Sequence, residues 1–180
     1  MKGTMPRGRT SQEDAAMAAS LATCPKNRAE NRMIADLLRN DLGRVALPGS
    51  VAVPEIFTVE RLRTAWQMTS TVTARVPPGT GLTQLLAVLF PCGSVTGAPK
   101  KSAMEIIRRL EPWPRGFYTG AIGHVAPGGD CVFNVAIRTV IVDRDAGQCR
   151  FGVGGGVTYD STAADEYEEC RVKAAFLSLS

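Results

Sequence analysis

The sequence predicts an α+β fold, an antiparallel β-sheet core with packed helices. Three observations carry this. Two helical patterns open the chain, "SQEDAAMAASLA" and "NRAENRMIADLLRNDLG". Two β-branched runs follow, "GSVAVPEIFTVE" and "WQMTSTVTARV". Turn signals at Pro127–Asp130 and Asp143–Gly147 then break a long apolar stretch into consecutive antiparallel strands. Helices segregate from strands, as in α+β architectures.

Taken in order, the first helix has Ser11 as N-cap, acidic Glu13 and Asp14 in its first turn, and an end before Pro25. The second carries an apolar stripe of Met33, Ile34, Leu37, Leu38 and Leu42, with Gly43 as its terminating glycine. The next two segments are strands by their β-branched and aromatic content. "GLTQLLAVLF" reads as a short buried helix. "PCGSVTGAPKKSAMEIIRRLEP" reads as a glycine-containing loop leading into a helix with Pro99 near its first turn. "FYTGAIGHVAPGGDCVFNVAIRTVIVDRDAGQCRFGVGGGV" predicts three antiparallel strands, and "TAADEYEECRVKAAFLSLS" a closing helix.

With 180 residues the chain is one domain's worth. Net charge is +4 and aromatics, at 6%, do not interleave with the basic residues, which argues against a nucleic-acid groove and suits small anionic ligands. Cys24, Cys92, Cys131, Cys149 and Cys170 are odd in number and lack metal-type spacing. They read as reduced thiols of a cytoplasmic protein. No apolar run reaches the ~20 residues of a membrane span, and no signal peptide is evident.

The candidate chemistry lies in five stretches. Glu166 and Glu169 are three apart on the last helix, and Lys173 lies one turn beyond Glu169. They form either a solvated acidic face with an i,i+4 ion pair, or a carboxylate pair beside the glycines of "VGGGVTYDS", whose backbone N–H groups can approach an anion. A divalent cation such as Mg²⁺ reconciles carboxylates with an anion. Glu30, helically spaced with Met33, Ile34 and Leu37, is a surface residue or a buried third oxygen donor. "GSVTGAPK", which includes Thr96, is a well-formed turn or a hydroxyl and amide cradle for a carboxylate or ring hydroxyl. Arg138, alternating with apolar neighbours in "FNVAIRTVIV", faces solvent or pairs with a carboxylate ligand. Tyr118 is a packing residue or a hydroxyl donor. Lys2, in "MKGTMPRGRT", is by itself an ordinary solvated lysine. From the residues alone, the expectation is a Mg²⁺-assisted site for a small polycarboxylate.

"KGTMPRG", "PKNRAENRMIADLLRNDLGRV", "GSVTGAPKKSAMEII", "GFYTGAIGHV", "VAIRT" and "GGGVTYDSTAADEYEE" together resemble the chorismate-binding enzymes, in the family's order, from Lys2 to about Phe176. The family includes anthranilate and isochorismate synthases. Within it the chain is most similar to component I of aminodeoxychorismate synthase, where a Pro-Ile-Lys-Gly-Thr motif supplies a nucleophilic lysine. "MKGT" resembles that motif without its first two residues, so Lys2 is the matching lysine.

The resemblance implies the C-terminal part of the chorismate-utilising fold and amination of chorismate to 4-amino-4-deoxychorismate. It implies Mg²⁺ on carboxylates Glu30, Glu166 and Glu169, and ammonia from a glutamine amidotransferase partner. Arg138 and Tyr118, helped by the Gly154, Gly155 and Gly156 backbone, match residues that hold the enolpyruvyl carboxylate. Thr96 matches a substrate-loop hydroxyl, and Lys173 a lysine near the metal and ring carboxylate. The chain departs from the family at Gln67, often His, and at Asn27, often a carboxylate. Full members are more than twice as long and carry a general-acid Glu in a Ser-Pro-Glu segment. The 180-residue chain is therefore expected to be a partial catalytic domain, weakly active or inactive alone. The alternatives are a fragment of anthranilate synthase component I, or a non-catalytic remnant or binding fragment.

Overall fold

A computed structural model describes residues 1–159 and 161–175. The fold is α+β, with antiparallel sheets, in two compact units, Met1–Lys100 and Lys101–Ser180.

In unit 1, strand β1 (Thr4–Pro6) leads into helices α1 (Ser11–Thr23) and α2 (Pro25–Gly43), and then strands β2 (Ala52–Arg61) and β3 (Ala65–Thr73). The sheet is antiparallel with β3 central, in the order β1-β3-β2. β1 is set on β3 with Thr4 opposite Gln67 and Pro6 opposite Ala65. α1 and α2 cover this sheet, with Leu21, Ile34, Ala35 and Met68 buried between the layers. The helix α1 is capped by Thr10, one residue ahead of the expected Ser11. The Thr10 hydroxyl accepts from Glu13 N while Glu13 reaches back to Thr10 N, a reciprocal capping box that Ser11 has no Glu in register to complete.

α2 departs from its expected stripe. Met33 is 54% exposed, whereas Asn31 and Asp41 are buried beside Ile34 and Ala35. Gly43 is the last helical residue and is followed by Arg44 in ordinary helical geometry, so no left-handed glycine cap forms. Helix α3 (Leu82–Leu89) is half-buried at most, against the expectation of a buried helix. The loop after it contains a single turn, α4 (Gly93–Thr96), before α5 (Lys100–Leu110). Pro99 directly precedes α5.

Unit 2 contains four strands where three were expected: β4 (Ala121–Val125) pairs with β5 (Cys131–Val135), and β6 (Val140–Asp143) with β7 (Gln148–Phe151). Both expected turns close these hairpins. The extra break falls at Ile137–Thr139, where Arg138 adopts φ +51°, a left-handed conformation that interrupts a strand. Helix α6 (Ala163–Ala174) follows, capped by Thr162, whose hydroxyl accepts from Asp165 N. The end of the expected last helix, residues 176–180, and Asp160 of "VGGGVTYDS" lie outside the described residues. Among the described residues no single helix is long and apolar enough to cross a membrane.

Candidate active site

The site residues named from sequence fall into two groups, one in each unit. In unit 1 the chain around Lys2 is fixed on all sides by hydrogen bonds. Lys2 N–H donates to the Met68 carbonyl at 3.1 Å, and Met68 N–H returns to the Gly3 carbonyl at 2.9 Å. Gly3 takes φ +92°, and a Cβ there would press on Asn27 and Leu21 at 3.1–3.3 Å, so only glycine turns the chain here without strain. Gln67 donates to the Gly3 carbonyl at 2.6 Å and accepts from the Thr4 hydroxyl at 3.1 Å. Asn31, 2% exposed, donates from Nδ2 to the Lys2 carbonyl at 3.2 Å and to the Met68 carbonyl at 3.4 Å. Its Oδ1 accepts from the Ser70 hydroxyl at 2.5 Å, and Ser70 Oγ accepts from Phe57 N at 3.1 Å. Every polar atom of this buried amide is thereby satisfied.

This scaffold delivers the Lys2 ammonium to 3.7 Å from Glu30 Oε2. Glu30 is not the buried carboxylate its spacing with Ile34 and Leu37 suggests. It is about as exposed as Lys2, at 36% against 37%, because the buried face of α2 passes through Asn31 instead.

The loop bearing Thr96 is pinned to the same helix. Lys100 Nζ lies 2.7 Å from Asp41 Oδ2 and 3.1 Å from the Val88 carbonyl, and Asp41 is 4% exposed. Thr96 Oγ1 donates to the Cys92 carbonyl at 3.0 Å, which leaves its lone pairs for a ligand donor. Burial pushes the Cys92 thiol above its usual range, with Lys100 opposing, so this thiol is not activated.

In unit 2, Tyr118, the glycine stretch and α6 converge. The packing explains the glycines directly. A Cβ at Gly152 would overlap the Tyr118 ring, one at Gly154 would stand 3.0 Å from the Tyr118 hydroxyl, and one at Gly155 would collide with Glu166 Oε2. Lys173 Nζ donates to the Gly154 carbonyl at 3.0 Å and pairs with Glu169 Oε1 at 2.5 Å. Burial raises the Tyr118 phenol above its usual range, with Arg115 opposing, so the hydroxyl stays a donor at neutral pH. Arg115 itself is held by Glu111 through paired guanidinium contacts of 2.7 and 2.9 Å.

Glu166 Oε1 accepts from Ser161 Oγ at 2.7 Å. Its Oε2 is buried and, among the described residues, has no hydrogen-bond partner. A shielded carboxylate oxygen with no donor suits a hard cation, so Glu166 fits the part of a Mg²⁺ ligand. Within each unit, among the described residues, no three His, Cys, Asp or Glu side chains gather into a metal cage. Arg138, expected in a strand, instead lies exposed at the left-handed break between β5 and β6, because the strand ends at Val135.

The family model described as "chorismate binding enzyme" matches residues 1–178. The chain belongs to the chorismate-binding enzyme family. It is 51% identical over 175 residues to an aminodeoxychorismate synthase of Streptomyces griseus, covering 97% of this chain and 24% of the relative. It is 48% identical over 169 residues to aminodeoxychorismate synthase component 1 of Salmonella typhimurium, covering 94% of this chain and 37% of the relative. Among solved structures it superposes on anthranilate synthase component I of Streptococcus pneumoniae with a TM-score of 0.83 at 37% identity, covering 96% of this chain and 41% of that one. The chain thus spans between a quarter and about two fifths of the length of these relatives.

The sequence missed Asn31, Ser70, Gln67 as a clamp, Asp41 and Lys100. For Asn31 and Asp41 a signal existed: Asn31 lies three residues before Ile34 and Asp41 three after Leu38, so helical spacing puts both beside the apolar stripe of α2. The partners that make their burial affordable are distant in sequence and carry no local pattern.

Proposed function

We propose that this chain carries the lysine-bearing and cation-binding parts of a site that aminates chorismate to 4-amino-4-deoxychorismate, with ammonia delivered by a glutamine amidotransferase. The observation that carries the reading is Lys2, just ahead of β1, held by its backbone at both sides and placed 3.7 Å from Glu30, in the motif that matches the aminodeoxychorismate synthase lysine. A lysine whose backbone is held this way, with its ammonium beside Glu30, approaches from a narrowed range of positions, which favours covalent catalysis by a nucleophile.

Lys2 adds through its amine nitrogen to C2 of the ring as the C4 hydroxyl departs. Ammonia then forms a bond to C4, and the lysine amine leaves C2 with its electron pair. Glu30 holds the proton that the Lys2 ammonium must lose before attack. Tyr118 and Arg138, with the Gly154–Gly156 backbone, hold the enolpyruvyl carboxylate, and Thr96 contacts the ring substituent. In unit 2, Glu166 and Glu169 would hold Mg²⁺, and Lys173 stands beside them. When bound, Mg²⁺ supplies positive charge for the ring carboxylate and for the departing hydroxyl.

The second reading is anthranilate synthase chemistry, favoured by the superposition on the Streptococcus pneumoniae enzyme. Single-turnover product analysis separates the two. The chain complemented with the N-terminal part of a full-length relative, in excess over chorismate with ammonium and Mg²⁺, is expected to yield 4-amino-4-deoxychorismate. Anthranilate as the product would support the second reading. Neither product, together with no detectable chorismate binding, would overturn both.

A further inference from the structure

We propose that Asn31 is a positioning residue for Lys2, setting the place of its amine through the backbone while its neighbour Glu30 holds the amine itself. The inference rests on the reading of Lys2 as nucleophile and deepens it.

Two consecutive residues of α2 hold opposite ends of one lysine. Glu30 lies 3.7 Å from the ammonium, and Asn31 Nδ2 lies 3.2 Å from the carbonyl of the same residue. The Lys2 N–H is bonded to the Met68 carbonyl, and Asn31 also donates to that carbonyl at 3.4 Å. One buried amide therefore ties the Lys2 backbone and its β3 partner together. The amide orientation is fixed by chemistry. Its nitrogen faces two carbonyl acceptors, and its oxygen faces a hydroxyl whose own acceptor site is filled by Phe57 N–H. A half-exposed lysine without these bonds would sample many rotamers and backbone positions, at a considerable entropic cost to any single reactive geometry. Asn31 is not adjacent to the reacting atoms. Its influence passes through the Lys2 backbone.

Carbodiimide coupling of the 180-residue chain tests this without requiring turnover. The reagent condenses an amine and a carboxylate that lie within ion-pair reach, and peptide mass spectrometry reads each pair separately. Lys2–Glu30 is the reporter, and Lys100–Asp41 and Lys173–Glu169 are internal references. Loss of the Asn31 hydrogen bonds is expected to lower the Lys2–Glu30 yield about fivefold in Asn31→Ala and in the isosteric Asn31→Asp, with both reference pairs unchanged. An unchanged Lys2–Glu30 yield in a folded variant would overturn the proposal. An equal fall of all three pairs would do the same, since that is the signature of a merely structural role.

If both Asn31 variants fail to fold, Ser70→Ala carries the test. It removes only the hydroxyl that orients the amide, and about a twofold fall in the reporter pair is expected. A wild-type yield there would refute the proposal. A Lys2→Ala chain assayed for amination separates the two claims. Wild-type amination by that variant would sink the nucleophile reading, while the coupling yields would still report what Asn31 positions.

Discussion

Lys173 Nζ bridges the Gly154 carbonyl at 3.0 Å and the Glu169 carboxylate at 2.5 Å, so a lysine on α6 joins the glycine stretch to one of the candidate cation ligands. Lys173→Met keeps the aliphatic stem and removes this bridge. Because the pair is partly solvated, stability is expected to change by no more than about 1 kcal/mol. Calorimetric titration is expected to show weaker Mg²⁺ and chorismate binding. Unchanged binding by that variant would remove Lys173 from the site.

The contact of Gly155 with Glu166 Oε2 predicts a sharp positional contrast. Gly155→Ala must displace the carboxylate or the backbone and is expected to cost about 1–3 kcal/mol in chemical denaturation. Gly156 has open space where a Cβ would go, and Gly156→Ala is expected to stay within about 0.5 kcal/mol of wild type. Equal effects at the two positions would contradict the packing described for this stretch.

The loop bearing Thr96 depends on a buried pair. Lys100→Met leaves Asp41, 4% exposed, without its cation and is expected to destabilise unit 1 by about 3 kcal/mol. Adding Asp41→Asn should recover more than half of that loss, because most of the penalty is the stranded charge and not the missing contact. Thermal melts of the single and double variants check this. A double variant no more stable than Lys100→Met would contradict it.

Acid stability has a definite sign at Asp14. The Arg7 guanidinium, with the Gly8 N–H and the Trp66 indole, holds the Asp14 carboxyl well below the usual carboxylate range. A folded-state value below the unfolded one means that the stabilisation is fully present above the unfolded value, about 3.9, and is lost as pH falls beneath it. Melting temperatures of wild type and Asp14→Asn are therefore expected to differ at neutral pH and to converge below about pH 4. A constant gap down to pH 2 would contradict the assignment.

The legible parts of the fold were those written in local pattern. Both hairpin turns, the acidic first turn of α1 and the i,i+4 pairing of Glu169 with Lys173 follow from neighbouring residues. What failed was decided at long range or by backbone geometry. Arg138 looked like a strand residue because its neighbours alternate, yet its left-handed φ ends the pairing. Glu30 was read as a surface residue or a buried oxygen donor and is part-exposed; the buried polar position belongs to Asn31, whose partners are Lys2, just ahead of β1, and Met68 and Ser70 on β3. Gly154, Gly155 and Gly156 were read as letting backbone N–H groups approach an anion. In the fold Gly154 and Gly155 also make room for Tyr118 and Glu166.

The most direct measurement is the intact mass of the chain, complemented with the N-terminal part of a full-length relative, after incubation with chorismate and Mg²⁺ in the absence of ammonia, followed by peptide mapping. The expected result is an adduct of chorismate less one water on Lys2, dependent on Mg²⁺ and absent from Lys2→Ala. An adduct mapping to any other residue, or chorismate amination undiminished in Lys2→Ala, would contradict the role assigned to Lys2.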